Sequence, residues 1–125
     1  MDVTDPVVSD VTPADGDVVS EGLLDISGTV TDSESGVNRV RVVVRRLDGP
    51  TIEFWNGSDW VATYSVNSAV LDGADGFALA GVPVVAGGEY RLSVWAFDNA
   101  GNLSTVVESG GVRDFSVPAL SLIHI

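Results

Sequence analysis

The chain has 125 residues and a formal net charge of -12, with 18 acidic residues against six cations, every one of them arginine. That length makes one domain with a core large enough to stand without staples, and the lack of cysteine excludes disulfides, thiolate nucleophiles and cysteine-ligated metals. So acidic a molecule repels phosphate backbones, which argues against nucleic acid as a partner. No apolar run reaches bilayer length, and the first residues lack a charged-then-apolar leader.

Taken in order, residues 1–6 read as a linker, because Asp5-Pro6 favours an extended or turning entry. Val7 to Thr12 form a first strand that Pro13-Ala-Asp-Gly16 turns, with Val18-Val19 rejoining the sheet. Leu24, Ile26, Gly28 and Val30 alternate with polar residues, giving a second strand with one buried face. The polar loop Thr31 to Gly36 leads to the clearest alternation in the chain: Val40, Val42 and Val44 face one way, Arg39, Arg41 and Arg45 the other. A turn at Leu47-Asp-Gly-Pro50 follows. Thr51 to Trp55 and Trp60 to Val66 then pair as a hairpin around Asn56-Gly-Ser-Asp59, and Asn67 to Gly76 reads as a loop.

Phe77 and Leu79 mark a short strand, and Val82 to Gly88 leads to the central one. There Tyr90, Leu92, Val94 and Ala96 share one face, and Arg91, Ser93, Trp95 and Phe97 the other. Gly-Glu-Tyr90 fits a tyrosine corner, whose phenol bonds back to the preceding backbone, and Asp98-Asn-Ala-Gly-Asn102 turns the chain. Leu103 to Val107 and Val112 to Val117 form a last strand, kinked at Glu108-Ser-Gly-Gly111. Short strands at near-regular spacing predict an all-β antiparallel sandwich of about seven to nine strands with one extra hairpin. Its expected core is Leu24, Ile26, Val30, Val40, Val42, Val44, Leu79, Tyr90, Leu92, Val94 and Ala96. Residues 7–117 make the domain and 118–119 a linker. Residues 120–125, Leu-Ser-Leu-Ile-His-Ile, equal one reading frame of a transposon-end sequencing adapter. They are set aside as non-native, which removes His124 from consideration and marks the chain as a metagenomic fragment.

Four motifs carry a family resemblance: the P-x-x-G turn, Asp32-Ser-Glu-Ser-Gly-Val37, the W-N-G-x-x-W hairpin, and Y-x-x-x-V-x-A-x-D-x-A-G-N from Tyr90 to Asn102. Together the chain resembles the bacterial immunoglobulin-like domains of prokaryotic surface and secreted proteins, over about Pro6 to Val117. The resemblance implies an immunoglobulin-like β-sandwich, and Leu92 stands where antibody domains carry a strand cysteine. It further implies an extracellular or cell-surface setting, with signal and anchor elsewhere in the parent chain. The expected role is a non-catalytic spacer or adhesion module, one of several tandem repeats, with adjacent domains as partners. The alternative is a carbohydrate- or substrate-binding accessory domain of a secreted hydrolase, with a surface glycan or substrate polymer as partner. Neither role needs a cofactor, and no membrane insertion of the domain is expected.

Candidate sites follow from that topology. The second-to-third strand loop and the turn after the central strand should meet the entry linker at one pole. There Asp5, Asp32, Glu34, Asp98, Asn99 and Asn102 supply the oxygen ligands that calcium takes; turn geometry and a solvated pole are the competing and favoured account. Trp55, Trp60 and Tyr64 on the hairpin, with Trp95 outward on the central strand, offer an aromatic face for a glycan. Cross-strand packing is the competing and favoured account, and a stack of Trp95 with Arg39 or Arg41 is expected across the sheet. The arginine stripe suits a carboxylate or an anionic glycan, with internal pairing to Glu53 or Glu89 as the simpler explanation. Asn56-Gly-Ser58 and Asn102-Leu-Ser104 match the glycosylation sequon, a motif common by chance. With no usable His, Cys or Lys, a nucleophile–base pair is missing, and no enzyme is expected. Lysine-free acidity fits a salty exterior, though GC-rich coding explains it as well.

Overall fold

The computed structural model describes residues 6–14, 16–32, 36–73, 75–101 and 112–118. Among them lie ten strands in two sheets. They are β1 (Val7–Thr12), β2 (Gly22–Thr31), β3 (Val37–Arg46), β4 (Glu53–Trp55), β5 (Trp60–Val61), β6 (Asn67–Ser68), β7 (Val70–Leu71), β8 (Gly76–Val84), β9 (Glu89–Asp98) and β10 (Val112–Ser116). The smaller sheet runs β1-β2-β8-β7 and the larger β10-β9-β3-β4-β5, with β6 also on β3. All pairings between the strands are antiparallel. This is the immunoglobulin-like sandwich.

Alternation built the sheets. The inward residues of β3 and β9 are Val40, Val42, Val44, Tyr90, Leu92, Val94 and Ala96, all buried, and they meet Ile26 and Val30 of β2 and Val82 and Val84 of β8. Leu24 and Leu79 flank the register shift between Leu24 and Ile26 and are only half-buried, packed against that core. Phe77 is a core residue as well. Its ring lies over Gly28, where an added Cβ would stand 2.6 Å from the ring edge.

Three expected boundaries move. The hairpin is shorter, Glu53–Trp55 against Trp60–Val61. The strand beginning at Phe77 runs on to Val84. The segment 67–76 is not a plain loop: Asn67–Ser68 pairs with Arg41 and Val42 on β3, and Val70–Leu71 then pairs with β8 in the other sheet. The chain thus crosses between sheets within three residues. The half of the last strand expected at Leu103 to Val107 lies outside the described residues. Val18 does rejoin, as a parallel bridge to Ser116, so the first strand changes sheets after its turn.

Register also places the ends. Val7 pairs with Thr31 at the pole where Val37 meets Asp98, whereas Ser116 pairs with Glu89 at the other. The chain enters the sandwich at one pole and leaves it at the opposite one.

Candidate functional site

At the entry pole, Gly36 brings the β2–β3 loop to the turn after β9. The Asn99 amide N–H donates to the Gly36 carbonyl at 2.9 Å, and Asn38 Nδ2 donates to Asn99 Oδ1 at 3.2 Å. Asp98 is 2% exposed, and its Oδ1 accepts the Ala100 amide at 2.9 Å, which closes the turn. Asp32, half-buried, lines a depression with Gly36, Val37, Leu71, Gly73 and Asp75. The loop and the turn therefore meet as expected. Asp5, Glu34 and Asn102 lie outside the described residues, and among those described no three acidic or histidine side chains converge as metal ligands would.

The four aromatics proposed as a glycan face divide between the core and the outer face of the larger sheet. Trp55 is 7% exposed, inside the core, and packs on Trp60 with ring centroids 5.6 Å apart. Trp60 leans on Tyr90 at 5.6 Å and donates its indole N–H to the Pro83 carbonyl at 3.2 Å. Tyr90 in turn stacks on Phe115 at 5.3 Å. These four rings form one row, in which Trp60 ties the hairpin to β8 and β9. The hairpin loop is set by Asn56, whose Oδ1 accepts the Ser58 and Asp59 amides at 2.8 and 2.7 Å.

Tyr64 and Trp95 lie instead on the outer face of the larger sheet. Directly opposed residues of an antiparallel pair share a face, so Arg39 stands with Phe97, Arg41 with Trp95, Val43 with Ser93 and Arg45 with Arg91. Arg39 lies over the Phe97 ring at 4.3 Å. The stack expected on Trp95 thus falls on its neighbour two residues along. Arg45 lies 5.3 Å from the Phe54 ring and 5.8 Å from that of Tyr64, and it donates to Ser93 Oγ at 3.1 Å. Arg41 donates to Ser68 Oγ.

Internal pairing of the β3 stripe with Glu53 or Glu89 is not what the structure shows. Among the described residues the ion pairs are Arg46–Asp48 and Arg91–Asp114. Arg91 grips Asp114 with two nitrogens, at 2.7 and 3.2 Å, and that bond holds the Asp114 carboxyl below its ordinary range. The hydrogen bond from Arg46 does the same to Asp48. Phe54 and Phe97, the rings beneath two of the arginines, were not singled out from sequence, although the β9 alternation already put Phe97 on the Trp95 face. Ser68 as a partner of Arg41 had no such signal, because it depends on β6 pairing with β3.

Compared with known families, residues 6–75 match the model described as a bacterial Ig domain. A comparison with curated proteins returns no match.

Proposed function

The chain belongs to the bacterial Ig domain family, and on that premise we propose that it is an extracellular spacer, one repeat of a stalk that presents an adhesive or anchoring domain. Domains of this family are structural modules and generally non-catalytic, and they typically sit on surface or extracellular proteins. Among the described residues no helix is long and apolar enough to cross a membrane.

The observation that carries the reading is the placement of entry and exit at opposite poles. Copies joined in series then extend rather than fold back, each adding roughly 35 Å, the length of a ten-residue strand such as β9. A stalk must also resist bending, and two sheets locked through a continuous core supply that stiffness.

Sequencing the source locus in both directions tests this. We expect further domains with the D-x-x-S-G-V and D-x-A-G-N signatures on the same reading frame. A reading frame holding this domain alone would sink the proposal; a catalytic domain next door would turn it into an accessory module.

A further inference from the structure

The molecule is strongly acidic, yet four of its six arginines share the outer face of the larger sheet. One of them, Arg91, is already neutralised by Asp114. The other three stand in line on β3. Residues two apart on a strand are separated by about 7 Å, so Arg39 and Arg41 lie about 7 Å apart and Arg41 and Arg45 about 14 Å. Each hydrogen-bonds a neutral group, Asn38, Ser68 or Ser93, and none has a carboxylate within ion-pair distance among the described residues. Left on neutral partners among the described residues of so acidic a molecule, the stripe is a surface shaped for an anion from outside.

Its form narrows the anion. Two of the guanidinium groups lie against aromatic rings, Arg39 over Phe97 and Arg45 beside the edge-to-face pair of Phe54 and Tyr64. Stacking holds the planar fork ready for a carboxylate and lowers the entropy lost on binding. Beside them lie Tyr64, 55% exposed, and the half-buried Trp95, apolar rings against which the C–H face of a sugar packs. An acidic peptide would fit less well. β3 is bonded on both edges, by β9 on one side and by β4 and β6 on the other, so it offers no main-chain hydrogen bonds to an added strand.

We propose that this face, Arg39, Arg41 and Arg45 beside Trp95 and Tyr64, binds a carboxylate-bearing polysaccharide of the polyuronate class. The carboxylates dock on the arginine forks and the rings pack against the aromatics. Because the rest of the molecule repels polyanions, recognition is by contact rather than by long-range attraction. The role adds to that of a spacer and does not depend on it, so its failure would leave the stalk reading standing.

The test is titration of the full chain with polygalacturonate, followed by calorimetry and tryptophan fluorescence. Binding is expected, with a loss of about tenfold or more in Arg41→Gln, as for one charged hydrogen-bonding partner removed. Arg41→Lys, which keeps the charge but not the fork, should lose most of that affinity while melting like the parent. The double variant Arg91→Gln with Asp114→Asn, which removes that ion pair as a unit, should stay within about twofold. Fully methyl-esterified polymer should not bind. The proposal is overturned by no binding to polygalacturonate, by equal binding of the methyl ester, or by unchanged affinity in Arg41→Gln. Polyglutamate binding as tightly would overturn the choice of a glycan.

Discussion

Tyr90 shows how much one side chain settles at the exit pole. The Val85 amide donates to its hydroxyl at 3.0 Å, and its ring folds back so closely that a Cβ on Gly88 would stand 2.5 Å from it. Burial pushes the phenol above its usual range. Tyr90→Phe keeps the ring but removes the acceptor of the Val85 amide, and should cost about 0.5–1.5 kcal/mol because that bond is only part-buried, read as a lower denaturant midpoint at unchanged slope. Nearby, Asp48 accepts from Arg46 and from the Glu89 amide, which lowers its carboxyl. A lowered carboxyl contributes stability above its unfolded value, about pH 3.9, and that contribution is lost as pH falls through the folded value. The parent should therefore lead Asp48→Asn by ~0.5 kcal/mol at neutral pH, a modest figure because the pair is partly exposed. Unfolding curves taken stepwise into acid should show that lead vanish. At the entry pole, Asp98 commits an oxygen to the Ala100 amide. Melting midpoints in calcium and in chelator decide the calcium reading of this pole: a higher midpoint with calcium supports the ion, and coincident midpoints leave Asp98 to turn geometry.

Among the elements, β6 is the least expected and the most dependent on its surroundings. Asn67 looks like a turn residue, yet it is 7% exposed, and its Nδ2 donates to the Trp55 carbonyl at 2.9 Å and the Val42 carbonyl at 3.3 Å. One side-chain amide thus joins β3, β4 and β6 before the chain crosses to the smaller sheet. Asn67→Ala removes both donors inside the core and should destabilise by about 1–3 kcal/mol. Hydrogen exchange should locate the loosening at β4 to β7, with β2, β8 and β9 still protected.

Across the whole molecule the charge is lopsided, a net -12 with its cations gathered on one sheet. The sandwich has no disulfide and stands on its buried valines, leucines and rings. Added monovalent salt should screen the self-repulsion and raise the melting midpoint by on the order of a few degrees. A midpoint that falls with salt would mean that the ion pairs outweigh the repulsion.

The sandwich was legible in the sequence because strand alternation is local: a period of two in β2, β3 and β9 decides which side chains face inward, whatever lies opposite them. The tyrosine corner and the Asp98 turn were legible for the same reason, since their bonds close within a few residues. Tertiary structure decided the rest. Whether Trp55 lies inside while Tyr64 lies outside depends on how far the hairpin pairs before it leaves the sheet. That Arg39 rests on Phe97, and that the β3 stripe does not pair with Glu53 or Glu89, depends on cross-strand register. Register is set by the packing of two sheets at once, a sum over contacts distant in sequence, and no single stretch of the chain carries it.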